Sequence, residues 1–250
     1  MVTFSSWLDT SVKRSEALKT LTEGWRESGL FSNQISPRLW RNELYPVYVD
    51  AFGPRTVDTV AFVLERAATP LFGLVTYGVH MTMYTADWKI WVPTRAKTKQ
   101  TWPLCLDNTV AGGIPHGLSP FESLVKECIE EANLDEPFVR AHAKSCGAVS
   151  YFHQSPKGYL QPEVQFVYDL PIPRGQEEQF VPRPLDGEVD SFELNDLDTV
   201  IGKMHKNLFK PNCALVLVDF LIRHGKVTAE TEPNYLDIVT RLHGRLGYEF

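Results

Sequence analysis

Three carboxylates fall within five positions of the stretch GGIPHGLSPFESLVKECIEEANL, residues 112–134: Glu127, Glu130 and Glu131. At helical spacing they share an arc of roughly 100°. Like charges three or four residues apart destabilise an isolated helix by roughly 0.2–0.5 kcal/mol. A divalent cation reverses that sign. Hard cations such as Mg2+ and Mn2+ take oxygen ligands, and they often combine a few carboxylates with substrate phosphates. Upstream, Gly112 and Gly113 let the backbone approach a ligand closely. A strand, a Gly-Gly turn and an acidic helix together suit a metal–diphosphate site. A solvated amphipathic helix suits the same residues, and from them alone both readings stand.

The acids need a helix, and its signals are present. Ser119, Pro120, Phe121 and Glu122 read as a capping box with proline at the first helical position. Phe121, Leu124, Val125, Cys128 and Ala132 share one face, and the acids lie opposite. The expected helix runs from about 119 to 132. Residues 11–28 carry Val12, Leu18, Leu21 and Trp25 at helical spacing. Residues 28–48 read as loop and short helix, punctuated by Pro37 and Pro46. The segments TVAFVLERAATPLFGLVTYGVHMTMYT, DWKIWVPTRA, NTVAGG, CGAVSYFHQ and PEVQFVYDLPIP read as strands. Helices are expected over Leu197–Asn207, after Pro211 and from Pro233. A strand-rich middle with flanking helices implies an α+β or α/β/α core. The expected division is an N-terminal accessory domain over 1–75, a core domain over 76–225 and a helical tail over 226–250.

The 250 residues carry a net charge of −6, which gives no broad footprint for nucleic acid. Cys213–Ile222, the most apolar run, is too short to span a bilayer, and Asp219 interrupts it. The N-terminus lacks a continuous apolar segment of the secretory kind. Cys105, Cys128, Cys146 and Cys213 have neither zinc-knuckle nor redox-motif spacing. Reduced, mostly buried thiols in a cytoplasmic protein, with no nucleic-acid or membrane partner, are expected.

Residues 112–134 resemble the Nudix box, G-x5-E-x7-R-E-U-x-E-E-x-G-U with U aliphatic. Gly112 is the opening glycine, and KECIEEANL from Lys126 to Leu134 matches the core. The resemblance implies an α/β/α sandwich with a mixed sheet, preceded here by a small α+β domain. It puts the metal-binding glutamates at Glu127, Glu130 and Glu131. It implies Mg2+- or Mn2+-dependent hydrolysis of a small-molecule diphosphate. Leu118 stands where the first glutamate is expected, Lys126 replaces arginine, and Asn133 replaces glycine. The lysine lacks the planar fork that holds carboxylates in place. Asparagine is the next-best residue in a left-handed cap. Further stretches, LFGLVTYGVHMTMY, LDNTVAGGIPHG, PEVQFVYDLPIP and FKPNCALVLVDFLIRHG, resemble the Nudix branch related to thiamin pyrophosphokinase. That branch implies thiamine diphosphate or its oxidised analogues as substrate, cleaved to the monophosphate and phosphate.

The family's habit of recruiting a further loop glutamate points to Glu188 in LDGEVDSFEL, ahead of Glu163 in QPEVQF. Glu130 or Glu188 is the expected proton acceptor, with Glu131 also in the catalytic set. Gly112 and Gly113 would support phosphate. Arg95, Lys97 and Lys99 in RAKTKQTW offer charge to phosphates or form a solvated edge. Trp102, with Tyr84, Trp88 and Trp91, offers a stacking wall for a heterocycle or belongs to the core. His116 is an exposed loop histidine or a phosphate contact. The alternatives are a hydrolase of a nucleoside-diphosphate derivative or isoprenyl diphosphate, and a binding module without turnover, which Leu118 and Lys126 keep open.

Overall fold

The computed structural model describes residues 3–246. The first two residues and the last four, with which the 226–250 tail ends, lie outside the described residues.

The chain opens with helix α1 (Ser11–Glu27) and a single turn, α2 (Ser32–Ile35). Thr10 caps α1 by accepting from the Lys13 amide. The expected helix is present, but its buried face differs. Leu18 and Thr22 are buried, whereas Val12 and Leu21 are exposed. Thr22 tolerates this because its hydroxyl donates back to the Leu18 carbonyl at 2.8 Å.

Strands β1 (Leu44–Tyr48) and β2 (Val60–Glu65) form an antiparallel pair. The sequence reading had loop and short helix in the region of β1, because Pro46 breaks a ladder. A two-stranded ribbon has only edges, and there proline costs little. A 3-10 helix, Arg66–Phe72, follows β2. Leu18, Ile35, Phe62, Leu64, Ala67 and Ala68 close a core of their own.

Six further strands make one mixed sheet: β3 (Thr76–Tyr84), β4 (Ile90–Arg95), β5 (Val110–Gly113), β6 (Lys144–Gln154), β7 (Leu160–Pro171) and β8 (Val189–Asn195). The order is β6-β7-β3-β4-β8, and β5 also pairs with β3. Only β3 and β7 run parallel.

Helix α3 (Pro120–Ala132) and helix α4 (Glu136–His142) cover one face. Val79, Met81 and Met83 of β3 pack there against Leu124, Val125 and Cys128. The sequence reading had no element at α4; Asp135 caps it. Helices α5 (Leu197–His205), α6 (Pro211–Arg223) and α7 (Tyr235–Leu242) cover the other face. The expected α/β/α layering is therefore present, with a mixed sheet. No described helix is long and apolar enough to cross a membrane.

Candidate active site

Helix α3 is anchored at both ends. The Ser119 hydroxyl accepts from the Glu122 amide at 3.2 Å. The reciprocal half of the expected capping box is missing, because the Glu122 carboxylate instead receives Arg140 at 2.9 and 2.8 Å. Asn133 ends the helix in the left-handed conformation, φ 50°.

That helix lays its acids along the end of β5. A Cβ on Gly112 would come within 2.2 Å of the Glu127 carboxyl carbon and 2.5 Å of its Oε1. The glycine therefore gives the carboxylate its place beside the strand backbone. Glu131 is only 7 % exposed, and its Oε2 accepts from the Ala111 amide at 3.3 Å. This corrects the helical projection, which put all three acids on the outer arc. The arc is right, but β5 runs along its flank and covers Glu131. Glu130 stays exposed.

Burial pushes the Glu127 carboxyl up to about 7, helped by Glu130 and opposed by Lys126 and Arg66. Burial likewise pushes Glu131 up to about 8, with Glu127 and Asp107 adding to it and Lys99 opposing. Two desolvated carboxylates, each with a further acid beside it opposing its ionisation, call for a concentrated positive charge. Their donor atoms are all oxygen. The residues thus fit a hard divalent cation, which Glu127, Glu130 and Glu131 would hold. The Lys126 ammonium sits among these acids, 3.1 Å from Glu130 Oε2 and 3.8 Å from Glu127 Oε1.

Lys99 forms an ion pair with Glu188, which stands just ahead of β8. Burial works against the Glu188 carboxylate, but the Lys99 bond and charge outweigh it and hold the group below its ordinary range. Glu188 also bears electrostatically on Glu127. The structure thus joins two residues that the sequence reading put on opposite tasks. Lys97 is exposed in the same loop. Trp102 is part-exposed there, in a left-handed conformation at φ 52°.

Other candidates are engaged with partners of their own or belong to the core. Arg95 is buried; it donates to Asp107 Oδ2 at 2.6 Å and to the carbonyls of Trp102 and Thr101 at 2.9 and 3.0 Å. It holds the 96–104 loop in shape and is not a free phosphate-binding charge. Tyr84 and Trp88 stack 5.4 Å apart against Phe220 and His224, in the core beneath α6. Trp91 packs on the α3 side. These three form no wall at the glutamates. Glu163 accepts from Tyr151 and from Gln165 Nε2. His116 is exposed, and its amide donates to the Leu44 carbonyl at 2.8 Å.

His80, Asp107 and Cys213 bring ligand-type atoms within 4.8 Å of one another in the interior. Each is already engaged: His80 Nδ1 with Asn108 Oδ1 at 2.7 Å, Asp107 with Arg95, and Cys213 Sγ with Asp107 Oδ1 at 2.6 Å. Burial and the Lys210 charge push His80 down to about 4, so it is neutral. Two nearby cations, Arg95 and Lys210, oppose a third, and the cluster is a hydrogen-bond network. Cys128 and Cys213 are buried as expected, whereas Cys105 and Cys146 are half-exposed.

The sequence reading missed the residues that the first 75 positions bring here. The Tyr45 hydroxyl lies against Gly113. Arg66 extends over the Tyr45 ring, 5.2 Å from its centroid, and pairs with Glu43 Oε2 at 2.8 Å. The alternation in LYPVY was the available signal, and Pro46 concealed it.

The class that the fold defines is an α/β/α sandwich with a glutamate-bearing helix seated on a Gly-Gly strand end. The solved structures include a Deinococcus radiodurans protein of the same fold, with a TM-score of 0.51 and 18 % identity, covering 70 % of this chain and 97 % of that one. Nudix hydrolase 20, chloroplastic, of Arabidopsis thaliana is 44 % identical over 82 % of this chain and 53 % of its own. Nudix hydrolase 24, chloroplastic, of the same plant is 39 % identical over 96 % of this chain and 62 % of its own. An uncharacterized protein of Saccharomyces cerevisiae is 44 % identical over 89 % of this chain and 66 % of its own. The chain thus spans about half to two thirds of the length of these curated relatives. A family described as a domain of unknown function, DUF4743, matches residues 1–76. Over most of its length the chain is thus similar to proteins named Nudix hydrolases.

Proposed function

We propose that the protein hydrolyses a diphosphate linkage with Mg2+ or Mn2+, and that thiamine diphosphate or an oxidised analogue is the substrate, cleaved to the monophosphate and phosphate. The observation that carries the diphosphate chemistry is the seating of Glu127 and Glu131 against Gly112 and the Ala111 amide. The bound cation would polarise the diphosphate and make the attacking water more acidic. Glu130 or Glu188 would take the proton from that water, and Lys99 keeps Glu188 ionised for the task. Lys97 and Lys99 supply charge near the loop that faces Glu188. Gly112 and Gly113 leave room for phosphate beside the strand backbone.

The thiamine assignment rests on the resemblance outside the box. Of the aromatics offered for a heterocycle, only Trp102 stays available, since Tyr84 and Trp88 are core. Division at residues 75 and 225, a cytoplasmic location and the absence of nucleic-acid or membrane partners belong to the same proposal. The two plant relatives are named chloroplastic.

One observation favours a second reading, a binding module without turnover: Lys126 lies among the glutamates where the family pattern has arginine. Phosphate release from thiamine diphosphate, its oxo-analogue, ADP-ribose, ATP and farnesyl diphosphate, with Mg2+ and after chelation, tests both. A thiamine compound should show the highest kcat/KM. A nucleotide or isoprenyl diphosphate about tenfold above every thiamine compound overturns the substrate. No release from any member of the panel favours the binding module.

A further inference from the structure

We propose that Arg66, assisted by Arg41, is a diphosphate-binding group, so that the N-terminal module forms one wall of the active site. This rests on the hydrolase reading above and adds a binding function to residues that nothing in the Nudix box contains.

The geometry runs through Tyr45. Its hydroxyl occupies the space a side chain on Gly113 would need, 1.5 Å from the Cβ position. Its ring carries the Arg66 guanidinium at 5.2 Å from the centroid. The Arg66 charge therefore stands over the same strand end on which Glu127 lies. It bears electrostatically on both Glu127 and Glu188. Arg41 feels Arg66 and Glu188 in turn. Glu127 feels Lys126 and Arg66, Glu131 feels Lys99, and Glu188 feels Lys99 and Arg66, so cations converge on the same glutamates, the charge pattern a polyanion bridged by a cation needs.

The module is built to hold these groups in place. Glu65, buried at 4 % exposure, accepts from the backbone amides of Arg41 and Glu43 at 2.9 and 3.2 Å. The Arg66 amide donates to the Glu43 carbonyl at 2.8 Å. A buried carboxylate that fixes the backbone of two charged residues preorganises their side chains. The Arg66 side chain itself is 42 % exposed, so a ligand can reach it. Among the described residues, its fork bonds Glu43 through Nη1. A guanidinium has donors beyond that one, and they are open to phosphate oxygens. Glu43 is then a competitor, a carboxylate that holds Arg66 until phosphate replaces it. A purely structural ion pair predicts the opposite response to its removal, and this separates the two roles.

The test uses the full chain. Inorganic pyrophosphate binding in the presence of Mg2+ is measured by calorimetry, and KM and kcat are measured on the best substrate of the panel. Arg66→Gln should weaken pyrophosphate binding and raise KM by about tenfold or more, with kcat within about threefold. Arg66→Lys should recover part of the loss, and Arg41→Gln should show a smaller change of the same sign. Glu43→Gln should tighten pyrophosphate binding. Unchanged pyrophosphate affinity in a folded Arg66→Gln overturns the inference and leaves the hydrolase reading intact. Weakened binding in Glu43→Gln also overturns it, because that marks the pair as structural. An inactive wild type whose pyrophosphate binding still depends on Arg66 supports the inference while the hydrolase reading fails.

Discussion

The Tyr45 hydroxyl and the bare Cα of Gly113 fit together, with a would-be Cβ on the glycine only 2.6 Å from the tyrosine Cζ. Gly113→Ala must therefore move the ring, and the phenol, whose ionisation burial pushes well up, goes with it as a neutral group. Overpacking of this kind costs about 1–3 kcal/mol. The variant should unfold several degrees lower, by roughly 2–4 °C per kcal/mol. It should also lose activity. Gly113→Ala combined with Tyr45→Ala should recover stability relative to the sum of the single changes, a coupling that a double-mutant cycle measures. Strict additivity would mean the two residues do not share that space.

Glu127→Gln and Glu131→Gln should each lower kcat by about a hundredfold or more, the scale for losing a positioned charge. Both variants should fold at least as well as the parent. The amide removes the cost of ionising a buried carboxyl, and its oxygen can still accept from Ala111. Thermal unfolding of the metal-free proteins checks this. A large loss of stability would show that the acids hold the fold together and are not placed for a ligand.

The raised carboxyls give a pH dependence whose sign is fixed. Both acids bind protons more tightly in the folded chain than in the unfolded one. Stability of the metal-free protein should therefore fall as pH rises from about 5 to about 8. Mg2+ or Mn2+ should restore it, and more strongly at the upper end, because the cation binds the ionised acids. Activity should vanish on chelation and return with either metal. A metal-induced shift in unfolding temperature that is equal at both ends of the range would contradict the assignment of these acids as ligands.

The Arg95–Asp107 pair is enclosed, with side chains 9 and 7 % exposed. Burial opposes the Asp107 carboxylate, yet Lys210 and Arg95 hold it down at about 2. Asp107→Asn leaves a buried guanidinium without its counter-charge and should cost about 3–5 kcal/mol, read from denaturant midpoints. The 96–104 loop that carries Lys99 should become accessible to protease in the same variant. A midpoint within error of the parent would show that solvent reaches the pair.

What could be read from the sequence was what is local. The cap at Ser119, the apolar face of α3 and the left-handed Asn133 each depend on neighbours within a few positions. The strands of the central sheet announced themselves by β-branched and aromatic runs. The burial of Glu131 is not legible there, because a helical projection knows one helix and not the strand beside it. The burial of Arg95 is hidden in the sequence because its partner, Asp107, lies in a different segment. Tyr45, Arg66 and Glu43 escaped notice for the same reason: their relation to Gly113 exists only once the first 75 residues have folded onto the sheet.

The bond from the His116 amide to the Leu44 carbonyl ties the loop of the Nudix box to strand β1. His116 is otherwise an exposed residue, and this bond is what its amide donates to. Its hydrogen-exchange rate therefore clocks the parting of the two modules without any label or ligand. Slow exchange, matching the core of β3, would make this loop and the N-terminal ribbon a single foldon. Faster exchange would give the frequency with which the site opens on that side.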